Sequence, residues 1–336
     1  MGDKSVSTIE DIARLAGVSK STVSRALNDS PLIGEETRAR IHDIARRHNF
    51  QVHVAARRLS LQESRTIVFV THTYRKDFCF NDLFSMEMVG AISNALGANN
   101  YDMLMAHVDP YTTDWASQYL DSGRADGFIL MTSTHKNFHI KKLLEMNAPF
   151  IVWGVPAPNQ SYCSVTGDNF KGGLLAGQRL LGQGRKKIAF LGGMPGELEV
   201  ERRYQGFEAA MLEAGRAVDP DLVVYANYMS DTAAEKISQL LERFPDLDGI
   251  FSSSDVMAIG AMDALHRAGR RIPDDVAVIG YDDLSIASIS NPPLTTISQH
   301  LPLVGRMLAE NLIQRLQKGI VINATVPVDL VERQSG

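Results

Sequence analysis

Residues 8–28 read TIEDIARLAGVSKSTVSRALN, and the positions from Val18 to Asn28 set the problem. They combine hydroxyls, two cations and a few small apolar side chains, so their polar face must meet solvent, a phosphate-bearing cofactor or DNA. Upstream, Thr8-x-x-Asp11 has the form of a capping box, and Ile9, Ile12, Ala13 and Ala16 recur at helical spacing until Gly17 stops the run. Ser19 is placed to cap a second helix, Lys20 to Leu27, with Val23, Ala26 and Leu27 on one face. Asn28-Asp29-Ser30-Pro31 reads as a turn. Gly34-Glu35-Glu36-Thr37 opens a third helix with acids at its positive end and Ile41, Ile44 and Ala45 facing inward. Three short helices with a tight turn at Gly17-Val18 form a helix-turn-helix pattern.

Three readings compete for Val18 to Asn28. A phosphate loop needs glycines before its lysine, and Leu15-Ala16-Gly17-Val18-Ser19 does not supply them. A solvated helix face stays open on this stretch alone. A recognition helix explains more: Lys20 and Ser21 sit at the helix N-terminus, where base edges are read, and Arg25 follows on the same side. Ser19, Thr22 and Ser24 are short hydroxyls suited to phosphate oxygens.

The 336-residue chain has a net charge of −5, but unevenly: residues 1–60 hold ten Lys/Arg against seven Asp/Glu. A basic head on an acidic body suggests a small anion-seeking module joined to something else. The length asks for two or three compact units. With 44% hydrophobic and 22% charged residues the chain reads as soluble and globular. No apolar run is long enough to cross a bilayer, and none follows the charged N-terminus, so no secretory signal and a cytoplasmic location are expected. Cys79 and Cys163 lack metal-ligand spacing, which fits a reducing compartment and leaves both as buried apolar residues, with no metal site expected.

From Arg65 the texture changes. TIVFV (66–70), DMLMA (102–106), GFILM (127–131), FIVWG (150–154), KIAFLGG (187–193), LVVYA (222–226), GIFSS (249–253) and VAVIGY (276–281) are apolar runs of strand length. Helical segments lie between them, at 84–98, 168–182, 200–215, 231–243 and 255–269. Alternation of buried strands with helices predicts parallel α/β sheets of about eight strands, more than one doubly wound sheet usually holds, hence two doubly wound subdomains. Ligands then bind at the carboxyl ends of the strands, in the cleft between the halves. Between head and body, Gln51 to Ser64 carries Ala55-Ala56-Arg57-Arg58-Leu59, a helix too brief to persist alone in water. A segment that folds on binding and a plain connector both fit it.

TIEDIARLAGVSKSTVSRALN, ADGFIL (125–130), VTGDNFKGG (165–173), RYQGF (203–207) and IPDDVAVIGYDD…PPLTTISQ (272–299) occur in this order nearly end to end. In these blocks the chain resembles the lactose-repressor (LacI/GalR) family of bacterial transcription regulators. The resemblance implies a small all-α helix-turn-helix headpiece (1–50), a hinge helix or linker (51–64) and an α/β core like periplasmic sugar-binding proteins (65–336). Within the core it implies an N-subdomain of about 65–165 and 295–325, and a C-subdomain of about 166–294 and 326–333. It further implies a homodimer on a palindromic operator that answers to a small molecule. No leucine-heptad extension follows the core, which favours a dimer over a tetramer.

By resemblance Lys20, Ser21 and Arg25 are base readers and Thr8, Ser19, Thr22, Ser24 and Asn28 lie beside them on DNA, while Leu59 is the minor-groove wedge. The family often has Asn-Tyr-x-Pro-Asn before its hinge; Asn49-Phe50-Gln51-Val52-His53 stands here, and Val52 does not pre-set φ as proline does. The family's effector contacts map onto Asp168, Arg203, Tyr228 and Asp282, with Glu199 at a variable position and Ser254 where asparagine is common. Asp168 also reads as a helix cap, and Arg203 as half of a surface ion pair with Glu199. Thr73, Phe80, Asn81 and Ser133 follow strand ends and are placed to line the cleft. Acids that accept, an arginine that donates and a ring that stacks describe a sugar site; a nucleoside or purine fits the same chemistry. Three carboxylates in Glu197-x-Glu199-x-Glu201 disfavour an anion.

A secreted sugar-binding protein would need a signal and would not carry the basic head. An enzyme is not expected, because Gly-x-Gly-x-x-Gly, Gly-x-Ser-x-Gly, P-loop and paired-histidine motifs are all missing, and histidines such as His139 and His266 are scattered. No cofactor beyond the small-molecule effector is implied.

Overall fold

The computed structural model describes residues 8–27, 30–48, 50, 63–72, 83–108, 112, 114–131, 138–156 and 160–336. The chain divides into two compact units, Met1–Ser64 and Arg65–Gly336.

In the first unit, helix α1 (Ile9–Ala16) begins with a complete capping box, in which Thr8 Oγ1 accepts from the Asp11 amide and the Asp11 carboxylate accepts from the Thr8 amide, each at 3.2 Å. It ends at Gly17, whose φ of 64° turns the chain sharply, a conformation other residues adopt only with strain. Helices α2 (Lys20–Leu27) and α3 (Glu35–Arg47) follow. Ile12, Val23, Ala26 and Ile41 are fully buried where the three helices meet, and His42 Nε2 lies 3.1 Å from the Ala26 carbonyl oxygen.

The second unit holds two six-stranded sheets. One contains β1 (Thr66–His72), β2 (Asp102–Val108), β3 (Gly127–Met131), β4 (Phe150–Trp153), β5 (Cys163–Gly167) and β11 (Asn323–Val326), in the order β11-β5-β4-β3-β1-β2. The other contains β6 (Ile188–Gly192), β7 (Val223–Tyr225), β8 (Gly249–Ser252), β9 (Ala277–Asp282), β10 (Thr295–Ser298) and β12 (Asp329–Val331), in the order β12-β10-β9-β8-β6-β7. Every pairing is parallel except β10 with β12. Helices α4 (Leu83–Ala98), α5 (Trp115–Leu120), α6 (Phe138–Glu145) and α12 (Leu301–Lys318) serve the first sheet. Helices α7 (Asn169–Gly182), α8 (Leu198–Glu213), α9 (Ser230–Arg243), α10 (Asp255–Arg267) and the short α11 (Ser285–Ile289) serve the second.

Among the described residues twelve strands stand where eight were expected, and the four additions, β5, β10, β11 and β12, adjoin the places where the chain passes between sheets. The expected subdomain boundaries shift accordingly. The resemblance places residues 295–298 in the first half, but β10 pairs with β9 and β12 in the second sheet, so the chain crosses only at Gln299 and His300 before α12. The earlier boundary also moves, because β5 continues to Gly167 in register with β11.

Helices α7 and α8 touch backbone to backbone. A methyl group on Gly173 would overlap the Arg203 carbonyl and the Phe207 amide, and one on Gly206 would overlap the Phe170 carbonyl and the Leu174 amide. This approach sets how near Arg203 comes to the start of α7. Gly206→Ala should therefore destabilise the second unit by about 1–3 kcal/mol, the usual cost of overpacking. Thermal unfolding followed by circular dichroism checks this, and a melting temperature equal to that of the parent chain would refute the close contact.

Candidate functional site

On α2 the polar face is displayed because Val23 and Ala26 take the inward positions of the helix. Lys20, Ser21 and Arg25 are exposed, and Thr22 and Ser24 are half-buried. Ser19 caps the helix, accepting from the Thr22 amide at 3.1 Å, and its oxygen also lies 2.8 Å from both Ser21 Oγ and Thr22 Oγ1. Thr8 is engaged in the cap of α1, where its hydroxyl donates to Asp11. Lys20 Nζ reaches across to Glu10 of α1 at 2.7 Å.

In the second unit, the strand ends gather a polar cluster. Arg203, on α8, is buried; its Nε donates to Asn169 Oδ1 at 2.8 Å and a terminal amino group donates to the Ser253 carbonyl at 2.5 Å. Its guanidinium carbon lies 3.7 Å from the centre of the Tyr281 ring. Burial alone would weaken the charge on Arg203, but the surrounding Tyr281, Asp282, Tyr228 and Glu199 groups hold its pKa above the usual value. Asp282, buried at the end of β9, accepts from Gln299 Nε2 at 2.6 Å. Ser254 caps α10, accepting from the Met257 amide at 3.2 Å. The Tyr228 hydroxyl donates to Glu197 at 2.5 Å, and its ring covers Gly193, where any side chain would collide with it.

Glu199 joins the two halves: its Oε1 accepts from the Val155 amide, just past β4, at 2.8 Å, while its Oε2 is enclosed without a hydrogen-bond partner. Burial pushes this carboxyl up to about 7, and Glu197 nearby adds to the rise. Asp255 is fully buried beside Asp282, and burial together with that like charge raises its pKa strongly.

The structure thus brings Arg203, Asp282, Glu199, Tyr228 and Ser254 to one end of the sheets. Asp168 lies at their rim as the cap of α7, accepting from the Lys171 amide at 3.0 Å. The surface ion pair between Arg203 and Glu199 is not formed; each has other partners. Asn28 and Leu59, expected on DNA, and Thr73, Phe80, Asn81 and Ser133, expected at the cleft, lie outside the described residues, as does segment 51–62 of the expected hinge.

Sequence reasoning missed Asn169, Ser253, Tyr281 and Gln299. Two of these carry an unsatisfied atom: Ser253 Oγ and Gln299 Oε1 are buried and without hydrogen-bond partners, as Glu199 Oε2 is. Buried polar atoms are nearly always paired, so exceptions on residues that neighbour Arg203 and Asp282 make these strand ends a candidate site. The available signal was position alone, since Ser253, Tyr281 and Gln299 sit at or just past strand ends. No cluster of metal-ligating residues occurs among the described residues, and no described helix is long and apolar enough to cross a membrane.

Residues 8–52 match the model of bacterial regulatory proteins of the lacI family, and residues 178–336 match the periplasmic binding protein-like domain. The HTH-type transcriptional regulator CelR of Thermobifida fusca is 32% identical over 96% of this chain and 95% of its own length. The chain belongs to the LacI family. The HTH-type transcriptional repressor PurR of Haemophilus influenzae is 28% identical over 93% of this chain and 91% of its own. The solved transcriptional regulator CelR–cellobiose complex superimposes with a TM-score of 0.75 at 29% identity, covering 98% of this chain and 99% of the other. This LacI-family chain is therefore a DNA-binding transcriptional regulator and not an enzyme.

The raised carboxyl of Glu199 carries a pH signature. The folded chain keeps a proton there that the unfolded chain releases between pH 4.5 and about 7. Its stabilising contribution is complete below pH 4.5 and is lost as pH rises through about 7. Asp255 acts with the same sign. Glu199→Gln should flatten part of this fall in melting temperature between about pH 5 and pH 8. An unaltered slope in the variant would mean that Glu199 is ionised throughout.

Proposed function

We propose that this regulator answers to a neutral carbohydrate held at the strand ends by Arg203, Asp282, Glu199 and Ser254, with Tyr228 as the stacking ring. It binds a palindromic operator as a homodimer. The supporting observation is that Glu199 Oε2, Ser253 Oγ and Gln299 Oε1, all buried and without hydrogen-bond partners, belong to residues grouped with the buried Arg203 and Asp282. A sugar presents hydroxyls that both donate and accept along one edge, which suits carboxylate acceptors set beside a guanidinium fork. The relative CelR has been solved with cellobiose, which favours the same ligand class. The likeness to PurR keeps a purine as the second reading, since an acid, an arginine and a ring also suit a base.

The dimer is supported by apolar side chains left in solvent. The Ser285 amide donates to Glu87 at 2.9 Å, and near that bond Leu83, Met86 and Ile289 are exposed, Ile289 at 81%. On DNA, Lys20, Ser21 and Arg25 read bases from the face of α2, while Ser19, Thr22 and Ser24 lie towards phosphates. Domain roles follow: residues 1–50 as headpiece, 51–64 as hinge and 65–336 as effector core.

A thermal-shift panel of sugars, nucleosides and purine bases tests the ligand class, because a ligand at ~100 times its Kd stabilises by about 2.7 kcal/mol. Sugars should raise the melting temperature, and Asp282→Asn should abolish the shift. A shift with purines or nucleosides alone overturns the sugar reading. For DNA, Arg25→Ala should cut discrimination between operator and random duplex about tenfold, within the range for one bidentate base contact. Equal discrimination by parent and variant would remove Arg25 from the base readers.

A further inference from the structure

Lys20 opens α2, at the end where the helix dipole is positive and a cation is disfavoured. Its ammonium is drawn to Glu10, in the first turn of α1, with Nζ and Oε1 2.7 Å apart. Both side chains are well exposed, Lys20 at 60% and Glu10 at 70%, so the pair adds little to folding. Its position matters more, because it places a carboxylate on the face that the DNA-reading assignment turns towards a polyanion.

A carboxylate there is repelled by phosphates unless it finds a donor. The major groove offers one on each base pair: the N4 amino group of cytosine or the N6 amino group of adenine. On a G·C pair the groove presents guanine N7 and O6 as acceptors, then cytosine N4 as donor. An ammonium with a carboxylate beside it is the complement of that sequence. On an A·T pair the donor lies on the purine, between adenine N7 and thymine O4, so a carboxylate placed for the pyrimidine edge meets the O4 acceptor instead.

The geometry points to Glu10 and Lys20 reading one G·C pair in each half-site as a unit. Lys20 donates to the guanine O6 and N7 edge, and Glu10 accepts from cytosine N4. Glu10 thereby acts as a specificity-determining residue from the first helix. It rewards the correct pair and lowers affinity for random DNA, where its charge has no donor. The inference rests on the assignment of α2 as the reading helix with Lys20 among its readers.

The test is selection from randomised duplexes by the full chain, comparing the parent with Glu10→Gln, Glu10→Ala and Lys20→Ala. Melting temperatures establish that each variant is folded. The parent should require G·C at one position of each half-site. Both Glu10 variants should keep the rest of the motif, relax that position by about tenfold, within the range for one base contact, and bind random duplex more tightly. Selection of the same bases with the same stringency by parent and Glu10 variants overturns the inference. If Lys20→Ala also selects an unchanged motif, the assignment of Lys20 as a reader fails. If Lys20→Ala changes the motif while the Glu10 variants do not, that assignment stands and only the paired reading falls.

Discussion

Arg203 carries a full positive charge with only 6% of its surface in contact with water. A guanidinium does not release its proton near neutrality, so its burial has to be met by partners. Asn169, Ser253 and Tyr281 provide them, from the start of α7, the end of β8 and the end of β9. One buried cation therefore ties three separate segments to a single point. The glycine contact between α7 and α8 is what permits this, since it lets Arg203 come within 2.8 Å of Asn169. A guanidinium has five N–H donors, so two hydrogen bonds orient the fork without exhausting it.

The two halves of the core are joined in several ways that differ in kind. The chain crosses after β5, after β10 and between β11 and β12, which is a covalent connection that any relative motion must respect. Two backbone amides also donate to glutamates across the halves, Val155 to Glu199 and Ser285 to Glu87. The first lies among the strand ends that form the proposed site. A ligand that takes up the second oxygen of Glu199 would interact with a residue already holding the other half. Such a ligand shifts the arrangement of the halves only by the difference in its affinity for the alternatives. A residue in contact with both halves is where that difference can arise.

The sequence was informative where one constraint dominates. Thr8 and Asp11 announced α1, Gly17 its end, and the apolar runs announced β1 to β4 and β6 to β9, because strands buried on both faces tolerate little else. The four strands it concealed are CSVTG, TTIS, NATV and DLV, short and mixed in polarity. Their hydroxyls have structural partners that no periodicity reveals: Ser164 Oγ donates to Asn323, and Thr296 Oγ1 to Asp255. Missing β10 was enough to misplace a subdomain boundary. In the candidate site, resemblance pointed to Arg203 and Asp282, whereas Asn169 was hidden behind its neighbour. Asp168 and Asn169 both suit a helix start; only the structure shows that Asp168 caps the helix while Asn169 faces inward to the arginine.

The charge around Arg203 also limits what the site can hold. Asp282 and Glu199 act on this one cation, with Asp255 beside Asp282 and Glu197 beside Glu199, and two of the four, Asp255 and Glu199, have their proton affinity raised by burial. A phosphorylated or carboxylated ligand would add negative charge where carboxyls already retain protons to lessen their repulsion. A neutral polyol adds none, and one of its hydroxyls could donate to the unpartnered Oε2 of Glu199. Ser254 sharpens this, because its oxygen already accepts from the Met257 amide in the cap of α10 and its hydroxyl offers a ligand only a donor, whereas an asparagine there would bring an amide with both a donor and an acceptor. For a sugar bound as proposed, the donors would come from Arg203 and the Ser254 hydroxyl, and the acceptors from Asp282, Glu199 and Gln299 Oε1. Recognition of the proposed kind would select the pattern of hydroxyls rather than charge, and it would change as Glu199 takes up its proton, because the open Oε2 then turns from acceptor to donor.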